Sequence, residues 1–271
     1  MTLPISGQIS IIDINTELAK ASTAQLSLND NNVRTLFAKA SGQISFSDGR
    51  GKSNAPTSFS VVISSHILNF NVYNEALARG WNGVSPFNMN ITINGGVYVG
   101  SGSIDAFAFD TGTLPAGSNI ILTNNGYITG RGGDGGGAGR SYVGDHGGHA
   151  LIARVPITIY NYGYIQAGGG GGGSRPDLGW GGGGGGAGYP GGAGGIGGGY
   201  DDGMGPNGRP GSITSGGIGG YYYGGAGGGP GQSGGASATV GSQPGGGPGN
   251  AVVGNGNIAW GQVGSITGSI S

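Results

Sequence analysis

Residues 120–139 read IILTNNGYITGRGGDGGGAG, and the passage changes character halfway. A short apolar alternation at 120–122 runs into Asn124-Asn125-Gly126-Tyr127-Ile128, after which glycine takes over. Asn-Gly favours a tight turn with positive φ. The same word returns 37 residues later as Asn161-Tyr162-Gly163-Tyr164-Ile165, again behind an apolar strand and ahead of a glycine run. A weaker echo stands at Asn255-Gly256-Asn257-Ile258. The repeat predicts that these segments lie side by side, where a β-rich block joins a glycine-rich one.

On either side of that boundary the composition differs. Of 71 glycines in 271 residues, 13 precede residue 129 and 58 follow it. All seven Phe come before it, while nine Tyr and two Trp come after. The first part is therefore expected to bury aromatic rings and the second to display amphipathic ones. Charged residues are 8%, against ~25% in an average domain, and there is no cysteine. Disulfide frameworks and thiolate metal sites are excluded. A net charge of −1 offers no basic field for nucleic acid. No apolar run approaches the ~18 residues that cross a bilayer. The start, MTLPISGQIS, lacks the pattern of a signal peptide.

Within 55–128, Phe59, Val61 and Ile63 alternate, as do Phe87, Met89, Ile91 and Ile93, then Val97 and Val99. Period two predicts half-buried strands. Residues 71–79 read as a short helix stopped by Gly80, with Trp81 as a core anchor.

The glycine runs are 130–139, 168–173, 181–188, 191–199, 216–220, 224–231 and 245–249. Within several of them the other residues recur at every third position, as Ala187, Pro190, Ala193 and Ile196 do. Period three matches a polyproline II-type helix of three residues per turn and ~3.1 Å rise. Such helices have no internal hydrogen bonds, so their amides need partners on neighbouring chains. The expected fold class is therefore mixed. It comprises a small N-terminal α/β attachment repeat (1–54), a β-rich connector (55–128), and a C-terminal polyglycine II helix bundle or sandwich (129–271) with variable tip loops.

The first 54 residues hold three copies of one motif. Gln8-Ile9, Gln25-Leu26 and Gln43-Ile44 each open a short alternation that ends at Asp13, Asp30 or Asp48, with Phe46 inside the third copy. Each copy reads as a strand. Val33, Leu36, Phe37 and Ala40 then fall at helical spacing behind Asn31 and Asn32, and 16–21 reads as another short helix. Three like units in one chain suit a partner with three like subunits. Gln8, Ile9, Asp13, Gln25, Leu26, Asp30, Gln43, Ile44, Phe46 and Asp48 are the candidate attachment residues.

Runs of eight to ten residues would span roughly 25–31 Å and then turn back. Counting crossings gathers 140–147, 174–180, 200–215 and 232–243 at one end, far from the Asn-Gly anchors. Their candidate binding residues are Arg140, Ser141, Tyr142, Asp145, His146, Arg175, Asp177, Leu178, Trp180, Tyr200, Asp201, Asp202, Met204, Asn207 and Arg209. Aromatic anchors beside adaptable polar and glycine residues are the chemistry of recognition loops. The same count puts Tyr221, Tyr222 and Tyr223 at the opposite end. Since the run 216–220 is short, a place at the tip stays open, and they are kept among the candidates.

Catalysis finds little support. Asp145, His146 and His149 are three loop residues without a further metal ligand, and Asp201-Asp202 reads as a solvated pair. GxGxxG matches are inevitable at this glycine content, and none opens a strand–turn–helix unit. No cofactor or metal is expected.

Three stretches carry a resemblance: QISFSDGRGKS (43–53), NEALARGWNG with GVYVGS (74–83, 96–101), and TNNGYITGRGGDGGGAG (123–139). The chain resembles the receptor-recognition adhesins at the tip of the long tail fibres of T-even-type bacteriophages. That resemblance implies a non-enzymatic protein at the distal tip of the fibre in the virion. It implies docking by the N-terminus on the distal subunit of the trimeric fibre, one adhesin per trimer. It also implies tip loops that bind a host outer-membrane protein, such as a porin, or lipopolysaccharide, and no nucleic acid. Two rivals are an ice-binding polyglycine bundle, which would need a flat face of small residues, and a polysaccharide depolymerase, which would need a carboxylate pair in a cleft.

Overall fold

The computed structural model describes all residues except 1, 55, 139–140, 176–180, 201–202, 205, 222 and 239–241, and for 199, 200, 203 and 204 the backbone alone. The chain divides into two compact units, Met1–Thr57 and Ser58–Ser271.

In the smaller unit the repeated motif forms helical turns, and the expected strands are absent there among the described residues. Helix α1 (Ile11–Glu17) starts at Ser10, whose hydroxyl accepts the Asp13 N–H while the Asp13 carboxylate accepts the Ser10 N–H. Asp30 accepts the Ser27 N–H just before α2 (Asn31–Leu36), and Asp48 accepts the Ser45 N–H at the 3-10 turn Phe46–Gly49. Ser-x-x-Asp is a helix-capping signal, satisfying amides that a helix leaves free at its start. Each turn ends in a left-handed residue followed by lysine: Ala19-Lys20, Ala38-Lys39 and Gly51-Lys52. Ile9 is buried in a core with Leu3, Ile14, Val33, Leu36 and Phe37, and its counterparts Leu26 and Ile44 pack against it. Ala40, expected on the apolar face of the second helix, lies beyond it and is exposed.

The larger unit winds in five coils, each adding one strand to each of three parallel sheets. The first coil holds β1 (Thr57–Ile63), β2 (Ile67–Leu68) and β3 (Phe70–Asn71); then come α3 (Val72–Ala78) and the second coil, β4 (Phe87–Ile93), β5 (Tyr98–Gly100) and β6 (Phe107–Asp110). The third is β7 (Asn119–Asn124), β8 (Tyr127–Thr129) and β9 (His149–Ile152). The fourth is β10 (Ile157–Asn161) and β11 (Tyr164–Gln166), then a long excursion containing the antiparallel pair β12 (Gly199–Tyr200) and β13 (Gly203–Met204), then β14 (Asn250–Val253). The fifth is β15 (Ile258–Gln262), β16 (Ser265–Thr267) and β17 (Ser269–Ile270).

Register stacks like on like. Ile67, Val99, Ile128, Ile165 and Ile266 form one row, and Ile91, Leu122, Ile159 and Trp260 another. The predicted alternation in β4 is realised: Phe87, Met89, Ile91 and Ile93 are all buried. Trp81 is a core residue whose indole N–H donates to the Ser85 carbonyl at 2.7 Å. α3 starts at Asn71, whose side chain accepts the Asn74 N–H, and stops before Gly80 at φ 88°.

The two copies of the Asn-Gly word lie in register, as expected: Asn161 beside Asn124, Tyr164 beside Tyr127, Ile165 beside Ile128. Asn124 donates to Asn161 Oδ1 at 2.8 Å, and Asn161 donates onward to the Val263 carbonyl at 2.6 Å. A Cβ on Gly126 would collide with the carbonyls of Val97 and Asn94 in the coil above. The echo at 255–258 sits elsewhere: Ile258 pairs with Ile157, and the fifth-coil counterpart of Tyr164 is Ser265.

This architecture corrects the expected fold class. The chain is β-rich, a parallel β-helix-like fold in which each sheet takes strands from both sides of residue 128. It is not a β connector followed by a separate C-terminal polyglycine II bundle, and its N-terminal repeat is not α/β. The glycine-rich segments are insertions at one corner: 130–148 between β8 and β9, and 167–249 between β11 and β14. Apart from β12 and β13, the described parts of these insertions form neither helix nor strand. We call the two insertions together the glycine lobe.

Main-chain bonds between segments hold the lobe. Gly133 and Gly136 donate to Gly169 and Gly172; Gly169 and Gly172 donate to Ala187 and Gly184; Gly183 and Gly186 donate back to Gly136 and Gly133, all at 2.7–2.9 Å. A methyl group on Gly184 would fall on the Gly217 carbonyl, and one on Gly171 on that of Asp134. Gly184→Val and Gly171→Val should each cost at least about 3 kcal/mol, since backbone on both sides cannot yield as side chains do. Chemical denaturation checks this. Asn161→Ala removes a buried donor and should cost about 2 kcal/mol by the same measurement.

Candidate functional site

The lobe has two ends. At its base the chain leaves and rejoins the coils at Gly130, Gly148, Gly168 and Gly249, where Gly168 donates to Gly148 and Gly249 to Gly168. Three turns come back to this end. Tyr189 lies on the second coil, its carbonyl accepting the Ser101 N–H at 3.1 Å. Ser212 and Ser215 close a second turn, and Gly231 abuts Gly268 of the fifth coil at a third.

Five segments meet at the far end. Gly137 donates to Ser141 across the first turn, and Ala138 to Ile196. Ser174 donates to the Tyr142 carbonyl at 2.7 Å, and its hydroxyl to Gly181. The Asn207 side chain accepts the Gly197 N–H at 3.0 Å, closing the segment that carries β12 and β13. Gly224 donates to Gly220 around Tyr221 and Tyr223, and Ala238 donates to the Tyr223 carbonyl at 3.1 Å. Ser237 and Gln243 bond twice across the fifth turn.

This geometry sorts the candidates. Ser141, Tyr142, Arg175, Asn207, Tyr221 and Tyr223 come together at the far end, with the backbones of Tyr200 and Met204. Tyr221 is 83% exposed and Tyr223 41%. The tyrosine turn thus belongs to the far end, the placement that the short run 216–220 left open. Asp145 and Arg209 sit on the wall: Asp145 donates its N–H to Asp134, and Arg209 to Ile218. His146 lies near the base, its Nε2 3.5 Å from Asp105 Oδ1. Arg140, Asp177, Leu178, Trp180, Asp201, Asp202 and Tyr222 lie outside the described residues. Pro206, Ile196 and Ala238 are far-end residues absent from the candidates; Ile196 is half exposed, but an apolar residue among glycines carried no signal of contact.

An ion pair lies inside the lobe. Arg131 pairs with Asp134 at 2.9 Å, and the same carboxylate oxygen accepts the Ala193 N–H at 2.9 Å. Among the described residues no three His, Asp or Glu side chains are grouped to hold a metal. His149 Nδ1 already accepts the Asn250 N–H.

In the smaller unit, Gln8, Gln25, Gln43 and Phe46 face outward, while Ile9, Leu26 and Ile44 turn to its core. The Ser10 hydroxyl and N–H hold the Asp13 carboxyl below its ordinary value. Lys39, at 3.0 Å, and then Ser45 do the same for Asp48. Of each motif, then, the Gln is left to the surface, while the apolar residue after it and the Asp build the fold.

Asn207→Ala should leave Tm unchanged but raise amide exchange at Gly197 about tenfold, as expected for a local opening that loses one hydrogen bond.

Residues 58–271 match the family described as phage tail fibre adhesin Gp38. The chain is also similar to a protein in the crystal structure of the gp37-gp38 adhesin tip complex of the bacteriophage S16 long tail fiber. Identity there is 27% and the TM-score 0.59, covering 88% of this chain and 91% of that one. A comparison with curated proteins gives no match.

Proposed function

The chain belongs to the Gp38 family of phage tail fibre adhesins, and from that premise we propose that it binds a host surface receptor through the far end of its glycine lobe. The observation that carries this reading is the convergence of five turns there, with Tyr221 and Tyr223 presented to solvent on a base of paired main-chain amides. Tyrosines on a rigid base lose little side-chain freedom on binding. The receptor class proposed is an outer-membrane protein of porin type or lipopolysaccharide. Ser141, Tyr142, Arg175, Asn207, Tyr221 and Tyr223 form the proposed contact set, with the candidates outside the described residues (Arg140, Asp177, Leu178, Trp180, Asp201, Asp202, Tyr222) and Tyr200 and Met204 on the same segments. No catalytic step is part of this reading.

The second half of the proposal concerns the smaller unit. The S16 structure is a gp37-gp38 complex from the tip of a long tail fiber. By that likeness this chain sits at the distal tip of its fibre and docks on the distal fibre subunit. The three outward glutamines, Gln8, Gln25 and Gln43, follow one motif around one core and suit three like subunits, giving one adhesin per trimer.

Tyr221→Ala and Tyr223→Ala should each lower adsorption of purified protein to host cells at least tenfold. Their melting temperatures should stay within 2 °C of the parent, because surface truncations seldom exceed about 0.5 kcal/mol. Unchanged adsorption in the double variant would place the contact elsewhere. Host strains lacking single porins or the outer lipopolysaccharide core identify the receptor class. Light scattering of the fibre tip with added adhesin should saturate at one chain per trimer; three would reject the symmetric docking.

A further inference from the structure

All three histidines of the chain lie where the glycine lobe meets the coils. His66 stands just before β2, its ring edge-on to Tyr98 at 5.1 Å and to Tyr189 of the lobe at 5.7 Å. His149 opens β9, where the chain returns from the first insertion, and stacks on Phe107 at 5.1 Å. His146 comes three residues earlier, facing Asp105 from the loop between β5 and β6.

Their hydrogen bonds are of two kinds. His66 Nδ1 accepts the Tyr98 N–H at 3.1 Å, and His149 Nδ1 accepts the Asn250 N–H at 3.0 Å. A ring nitrogen that accepts from a main-chain amide must be unprotonated. His146 is bonded differently: Nδ1 lies 3.0 Å from the Gly147 carbonyl and Nε2 3.5 Å from Asp105 Oδ1. Tyr98 is the first residue of β5, and Asn250 is the first residue of β14, where the chain returns from the second insertion.

We propose that this seam is an acid-sensitive joint: protonation of His149 releases the Asn250 amide, loosening the lobe on the coils that carry it. The ionisable groups facing His149 are His146 and Asp105; Arg131, against Gly148, is turned to Asp134. Burial first, and then the His146 charge, hold His149 below its ordinary value of 6.5, with Asp105 opposing. The unfolded chain then binds the proton more readily than the folded one. The stability this site contributes is complete above the unfolded value and is lost as pH falls through it toward the lower folded value.

The test is amide hydrogen exchange of the full chain at pH 7.5 and 5.0, corrected for intrinsic rates, with Asn250 as probe and Ile128 as control. Protection at Asn250 should fall about tenfold per pH unit in the window below 6.5, while Ile128 stays unchanged. In His149→Asn an amide oxygen replaces the ring acceptor and does not titrate, so its acid response should be under about twofold, given that Asn carries no ionisable group. Equal wild-type protection at both pH values, or an undiminished response in His149→Asn, overturns the proposal. If that variant fails to fold at pH 7.5, the His149 ring and the Asn250 amide of the wild type must titrate with one midpoint in NMR; separate midpoints overturn it.

Discussion

A main-chain amide taken out of water needs an acceptor, and the glycine lobe offers almost nothing except main chain to provide one. The build of the lobe follows from that constraint. The carbonyls can be reached only if segments lie closer than a Cβ allows, as at Gly171 and Gly184. Each hydrogen bond returns only about 0.5–1.5 kcal/mol net, so the lobe stands on nearly complete pairing. It also needs a rim that fixes where its segments begin. The coils provide that rim: the ends of both insertions are held by strands whose apolar rows are fully packed.

Legibility in the sequence tracked how local the cause was. The alternation in β4, the capped helix before Gly80 and the Trp81 anchor are decided within a few residues, and each formed as read. The Asn-Gly-Tyr-Ile word was readable because Asn124 and Asn161 stack directly. Its earlier relative, Tyr98-Val99 behind Asn94-Gly95, went unseen because the inserted stretches between coils differ in length and hide the period. Without that copy, strands on either side of residue 128 looked like separate structures. At the N-terminus, Gln-Ile-Ser-Ile alternates as a strand would, but Ser10 and Asp13 satisfy each other's amides first.

The candidate contact residues divided for a similar reason. Counting crossings assumed one segment per glycine run. In the structure 200–215 and 232–243 each travel from one end of the lobe to the other, so Arg209 falls on the wall. Tyr221 and Tyr223 fall at the far end because 216–220 still makes a crossing, donating from Gly217 to Gly185 and from Gly220 to Gly182. Run length in glycine-rich sequence is thus a weaker guide than the positions of the residues that turn.

Both insertions leave and re-enter at one corner, between the second and third sheets, and this has a bearing on the order of folding. The coils pair neighbours close in space with apolar side chains that can drive collapse. The lobe has few such side chains, and its bonds link residues as distant as Gly147 and Gly247, so loop closure must precede any gain. The coils are therefore the template. They bring Thr129, His149, Gln166 and Asn250 together first, and the glycine segments zip up last, from the anchored ends toward the far-end turns.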